Sequence, residues 1–126
     1  NIKLIIGKEK TMNKVILLAF EEKEMCFVHV LANALDMKEK GFEVKVILEG
    51  AATATAAHMG KGDSPFASLY TEVKDAGLID CACLACSKKM GAFEELEKQG
   101  ITFKGEMKGH PALADYMAEG YQVITF

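Results

Sequence analysis

KVILLAFEEKEMCFVHVLANALDMKEKGFEVKVILEG, residues 14–50, is the stretch that decides the fold. It opens on KVILLAF (14–20), a short, unbroken apolar run of β-prone residues. Such a run predicts a strand buried on both faces. The period then changes over residues 23–40. Met25, Val28, Ala32 and Leu35 share one helical face, and Phe27, Leu31 and Ala34 add a second apolar stripe. Burial in a core is the ordinary use of so much apolar surface, and a subunit interface is the alternative. Gly41 stands where a helix closes in the left-handed conformation. FEVKVILEG (42–50) returns to strand composition. Strand, helix and strand in so short a span make a βαβ unit, whose two strands run parallel.

The same alternation continues outward. AATATAAHMGKGDSP (51–65) starts as a short small-residue helix and breaks at Gly60, Gly62, Asp63 and Pro65. DSPFASLYTEVKDAG (63–77) predicts a helix capped by Asp63 or Ser64, with Pro65 at its first position. Phe66, Leu69, Tyr70 and Val73 form its buried face, and Gly77 ends it. LIDCACL (78–84) is the third strand and SKKMGAFEELEKQG (87–100) the next helical stretch. ITFKGEM (101–107) is the fourth strand, HPALADYMAEG (110–120) a short helix, and YQVITF (121–126) the fifth strand. The predicted fold is α/β: a single-domain three-layer sandwich, with a mainly parallel five-stranded sheet and helices on both faces. The domain is expected over residues 13–126. Residues 1–12 are expected to be a leader or arm, in which IKLII pairs with a sheet edge or a neighbouring subunit.

Composition narrows the function classes. The chain has 126 residues, 50% hydrophobic and 26% charged, enough apolar material for one real core. Its formal charge of −3 and lack of a long basic cluster argue against nucleic acid as a partner. No apolar run reaches the length of a membrane span, and no secretory signal pattern stands at the front, so a cytoplasmic address is expected. Thiols stay reduced there, and clustered cysteines are more often reactive or metal-binding than structural.

Three of the four cysteines, Cys81, Cys83 and Cys86, fall in LIDCACLACSKKMG (78–91). In an open parallel sheet, sites gather beyond the carboxyl ends of the strands, which is where this cluster must lie. Cys81 and Cys83 are two apart on a strand and share a face. Cys81 lies deeper and reads as a small buried hydrophobe. Cys83 lies at the strand exit, and Cys86 opens the next helix. Backbone N–H groups and the positive end of the helix there favour thiolate, with Lys88 and Lys89 as further positive groups.

Three active readings compete. A dithiol redox pair fits Cys83-Leu-Ala-Cys86, but an aromatic before the first cysteine and Gly-Pro between the two are missing. A zinc site needs four ligands, and only one C-x-x-C pair is present. His58 or His110 would have to complete it from other loops, so no metal or other cofactor is assigned. The third reading is one nucleophilic thiolate that carries sulfur as a persulfide. GKGDS (60–64) lacks phosphate-loop spacing and reads as a flexible loop. Lys61 in that loop and His58 before it are candidate site neighbours, although a lone histidine is more often structural. His110, before Pro111, reads as a helix-start residue, and Glu21 and Glu22 as solvated.

CLACSKKMG (83–91) resembles the C-x-x-C-x-x-x-x-G signature of DsrE/DsrF-like proteins, in the subgroup with two cysteines at the strand-3 exit. SPFASLYTEVKDAGLID (64–80) resembles the helix and strand before that signature, and YQVITF the family's closing strand. With KVILLAF and FEVKVILEG, the likeness spans about residues 13–126. It implies a small α/β domain in homotrimers or homohexamers, and a role in sulfur relay between sulfur-donor and sulfur-acceptor proteins. By motif position, Cys83 matches the sulfur-carrying cysteine and Cys86 the second cysteine of the subgroup. The family often has Arg before the closing glycine, where this chain has Met90, so positive charge is expected from Lys88 and Lys89. The function expected is a sulfur carrier or sulfurtransferase-like protein. The alternatives are a non-catalytic oligomeric binding module and a dithiol redox protein.

Overall fold

The structure is a computed structural model and describes residues 13–126. The expectations for residues 1–12, including pairing by IKLII, lie outside the described residues. The strands are β1 (Lys14–Ala19), β2 (Glu43–Leu48), β3 (Ile79–Cys83), β4 (Phe103–Lys104) and β5 (Gln122–Thr125). The helices are α1 (Glu24–Glu39), α2 (Ala52–Gly60), α3 (Ala67–Asp75), α4 (Leu84–Lys89), α5 (Phe93–Lys98) and α6 (Leu113–Ala118). The five strands form one all-parallel sheet in the order β4-β3-β2-β1-β5. The three-layer α/β architecture read from the sequence is present.

Chain order sets how the layers are filled. From β1 to β4 each new strand is added on the same side of the last. Right-handed crossovers then put every connecting helix on one face. After β4 the chain returns across the sheet to pair β5 with β1, and the same rule sends α6 to the opposite face. Burial follows this division. Val15, Leu17, Val44, Val46, Leu48 and Ala82 point into a large core with Phe27, Leu31, Tyr70, Val73 and Leu96 of the helices. Ile16, Leu18, Ile47 and Cys81 point the other way, onto Tyr116 of α6 and onto Tyr121. β1 supplies both cores, which is why its sequence is apolar without alternation. Each fully buried aliphatic or aromatic side chain of this kind contributes about 1.5–3 kcal/mol relative to exposure.

Four local expectations change. In α1 the buried stripe is Phe27, Leu31 and Ala34 with Val30, while Met25 is 63% exposed and Ala32 faces out. The helix α3 starts after Phe66 rather than at Pro65. Ser64 caps no turn of it but accepts the Phe66 N–H and donates to Glu24 at 2.6 Å. The single helix expected over 87–100 is two, because Gly91 sits at φ +71° and ends α4 before α5 begins. β4 shrinks to two residues, since only Ala82 and Cys83 remain to pair with it at the sheet edge. No helix among the described residues is long and apolar enough to cross a membrane.

Candidate functional site

β3 and β4 are neighbours, but the chain leaves β3 toward α4 on one face and leaves β4 toward α6 on the other. Diverging connections open a crevice beyond the carboxyl ends of the two strands. Cys83 is the last residue of β3 and the N-cap of α4, with extended backbone (φ −63°, ψ 124°). It has no exposed surface. Its Sγ accepts the Cys86 N–H at 3.3 Å, as the capping side chain of a helix start does.

The other wall of the crevice is a tight turn after β4. Met107 and His110 exchange both backbone hydrogen bonds, at 2.9 and 3.0 Å. The two residues between them, Lys108 at φ +53° and Gly109 at φ +95°, take the left-handed pair that a two-residue reversal requires. Gly109 is needed for space as well, since a Cβ there would come within 3.0 Å of the Ala85 Cβ. The Gly109 carbonyl accepts the Ala85 N–H at 2.9 Å, which ties the turn to α4. This turn delivers His110 Nδ1 to 3.1 Å from Cys83 Sγ and 3.9 Å from Cys86 Sγ. The Cys83 thiol also donates to the Gly109 carbonyl at 3.6 Å, an ordinary length for a sulfur donor.

Glu49, the residue after β2, closes the group. One ligand-type atom from each of Glu49, Cys83, Cys86 and His110 lies within 4.8 Å of every other. Burial pushes the Glu49 carboxyl above its ordinary pKa, against the opposing pull of His110. Burial also pushes the Cys83 thiol up, to about 12. The Cys86 N–H works to lower it, while the Cys86 side chain and the Glu49 charge add to the rise. The thiolate expected from the helix start is therefore not the resting form. The six-residue α4 is short, and loss of water outweighs its one N–H.

The sequence-chosen neighbours fall elsewhere. Lys88 and Lys89 are exposed in the last turn of α4, where they complement the wrong end of the helix for Cys83. Lys88 Nζ lies 5.4 Å from the centre of the Phe93 ring. His58 is exposed on α2 beside a shallow groove with Glu22, Thr55 and Met90, and Lys61 is exposed at the end of that helix. Neither belongs to the cysteine group. Glu49 is the residue of this group that sequence reasoning missed, and His110, read as a helix-start residue, was otherwise offered only to complete a zinc site. Gly109 and Pro111 around His110 were the available signal, since together they fix it as the end of a turn.

Cys81, two residues inside β3, belongs to a different group. A register shift between Val46 and Ile47 opposite β3 leaves Asp80 as an extra residue. Asp80 and Cys81 therefore face the same side. Asp80 accepts the Tyr116 hydroxyl and the Lys104 ammonium at 3.3 Å, with Lys45 at 3.6 Å. Cys81 Sγ is 3.7 Å from the Tyr116 hydroxyl, and burial pushes its thiol up to about 12. It is a packed core residue.

These features define an open parallel α/β domain with a thiol–imidazole group at the point where its connections part. Residues 14–126 match the DsrE/DsrF-like family, and the chain belongs to it. It is 35% identical over 97 residues to an uncharacterized protein of Methanocaldococcus jannaschii, covering 77% of each chain. An uncharacterized protein of Archaeoglobus fulgidus is 33% identical over 49 residues, 39% of this chain and 80% of that one. No solved structure matches the chain significantly.

Proposed function

We propose that this protein carries sulfane sulfur as a persulfide on Cys83 and passes it to a partner protein. The observation that carries the reading is the 3.1 Å approach of His110 Nδ1 to Cys83 Sγ, in a chain of the DsrE/DsrF-like family. A buried thiol that rests protonated needs a base at hydrogen-bond distance, and His110 is that base.

As the Cys83 sulfur attacks the outer sulfur of a donor persulfide, its proton passes to the imidazole. The donor S–S bond breaks, a Cys83 S–S bond forms, and the donor thiolate leaves and takes the proton back. The Cys86 N–H at 3.3 Å supports negative charge on Cys83 while it develops. An acceptor thiolate then attacks the outer sulfur of the Cys83 persulfide and frees Cys83 as thiolate. Cys86 offers a second exit. Its attack on the inner sulfur expels hydrosulfide and leaves a Cys83–Cys86 disulfide, which a cellular thiol must reduce. Cys83 has no exposed surface while Cys86 is half-buried, so the donor meets Cys86 and the 107–110 turn first. This reading implies a reducing, cytoplasmic setting, donor and acceptor proteins as partners, and the homotrimer or homohexamer implied by the resemblance.

The test is mass spectrometry of reduced, chelator-treated protein after incubation with a small persulfide donor. One added sulfur on the peptide bearing Cys83, absent in Cys83→Ser, is expected. No mass gain in the unmodified sequence, or a gain unchanged in Cys83→Ser, overturns the reading.

A further inference from the structure

We infer that Glu49, Cys83, Cys86 and His110 form a site for a thiophilic divalent cation, zinc in the first instance. The sequence offers a single C-x-x-C pair, so the remaining ligands, with His58 or His110 among them, would have to come from other loops. The structure brings them together from three strand ends: Glu49 after β2, the two cysteines at the β3–α4 junction, and His110 on the turn after β4.

The spacing is that of a tetrahedral centre. Zinc–sulfur and zinc–nitrogen bonds of about 2.3 and 2.05 Å at tetrahedral angles separate sulfur from nitrogen by about 3.6 Å and sulfur from sulfur by about 3.8 Å. The two sulfur–nitrogen distances, 3.1 and 3.9 Å, lie on either side of that value. All four donor atoms lie within 4.8 Å of one another, so closure around an ion needs side-chain shifts of a few tenths of an ångström to about 1 Å. Two thiolates and an imidazole select a soft cation over magnesium or calcium, and a carboxylate is an ordinary fourth ligand.

The surroundings also suit a metal. The Cys86 N–H already donates to Cys83 Sγ, the kind of outer contact that orients a ligating thiolate. The His110 backbone is held on both its N–H and its carbonyl by Met107, and the Glu49 N–H is held by the Ala19 carbonyl at 2.9 Å. Binding balances as one zinc ion gained, two S–H bonds broken, two Zn–S bonds formed and two protons released to solvent. The inference stands independently of the sulfur-relay reading, but it has a consequence for it. A metal on Cys83 and a sulfane sulfur on Cys83 exclude each other, so the ion would hold the carrier idle.

The experiment uses the full chain, reduced and stripped of metal, with no sulfur donor present. Zinc is titrated against a chromophoric chelator, and cobalt(II) is added in parallel to read the ligands. One metal per chain is expected, with a sulfur-to-cobalt charge-transfer band and strong tetrahedral bands. Cys83→Ser and Cys86→Ser should each weaken zinc binding by roughly 100-fold or more, beyond what loss of an outer contact costs. His110→Gln should do the same, Glu49→Gln should weaken it by roughly 10-fold, and Cys26→Ser should leave it unchanged. Circular dichroism checks that each variant folds. If Cys83→Ser does not fold, the half-buried positions Cys86 and His110 decide the matter. No stoichiometric binding, cobalt spectra without the sulfur band, or affinity unchanged in Cys86→Ser and His110→Gln overturns the site. Sulfur loading of the stripped protein is measured separately, so either reading can fail alone.

Discussion

Cys81 and Cys83 are two residues apart on one strand, both fully buried, both with thiols pushed up to about 12 by burial. Yet they are chemically unlike. Cys81 lies mid-strand on β3, facing Tyr116, whose hydroxyl is already held by Asp80 and Lys104. Every polar group there has its partner, and Cys81 adds volume and one long sulfur contact to the Tyr116 hydroxyl. Cys83 lies one strand-step further out, where the chain leaves the sheet. Its neighbours are the backbone N–H and thiol of Cys86 on α4 and an imidazole held by a turn at the molecular surface. Burial alone does not distinguish a packed cysteine from one set among acid–base groups. The strand exit does, because only there do other loops bring acid–base groups within reach.

The sharpest way to break this comparison is to remove the two thiols in turn. Cys83→Ser should abolish sulfur loading outright by mass spectrometry, and equal loading of the two variants would erase the distinction. His110→Gln comes next. It keeps an amide near the ring position but removes the base, so the rate of persulfide formation should fall by roughly 10²–10⁴-fold, with folding unchanged by circular dichroism. A fall of less than about threefold would leave Cys83 without its partner and shift the chemistry to Cys86.

The Cys81 side of the comparison is tested through Asp80, whose loss should register in stability rather than chemistry. Asp80→Ala leaves the Tyr116 hydroxyl without its acceptor and takes the carboxylate from Lys45 and Lys104, and should cost about 1–3 kcal/mol in a urea unfolding curve. The same group predicts a pH effect. Burial works to raise the Asp80 carboxyl, but the Tyr116 hydroxyl, Lys104 and Lys45 outweigh it and hold it below its ordinary value. Folding therefore favours the ionised form. The stability this gives is fully present above the ordinary carboxyl pKa of about 4 and is lost as pH falls through the lower folded value. Unfolding curves from pH 6 down to pH 2 should show Asp80→Ala converging on the parent as that window is crossed. A gap between them that stays constant would assign the cost to packing instead.

How much of this was legible in the sequence follows the same divide. The period changes over 14–50 were enough for the strands, their parallel order and the crossover helix. The small residue run, Gly77 and the cysteine cluster placed β3 and its exit. What was not legible was anything set by partners far away in the chain. The length of β4 depends on how much of β3 remains to pair with it, not on its own apolar residues. The side of α1 that is buried depends on what α3 and the sheet present to it, and both stripes were apolar. At the candidate site, Cys83 and Cys86 are close in sequence, so their proximity could be read from it. His110 lies 27 residues from Cys83 and Glu49 sits on another strand, so only the topology could join them. Lys88 and Lys89 were close in sequence and misled for that reason, since a helix turn carries them away from the thiols.

Cys81→Ala is the smallest perturbation and bears most directly on the claim that position, not burial, makes the difference. It removes one sulfur atom from a packed site and should cost about 1 kcal/mol, at the low end for large-to-small core changes. Tyr116 keeps Asp80 and Lys104, so no polar group is orphaned. Sulfur loading at Cys83 should be unchanged, because the crevice shares no hydrogen bond with the Tyr116 network. If Cys81→Ala instead lowers loading while stability falls by only this amount, the two cysteines are coupled along β3. The divide would then lie between the faces of the sheet rather than at the end of the strand.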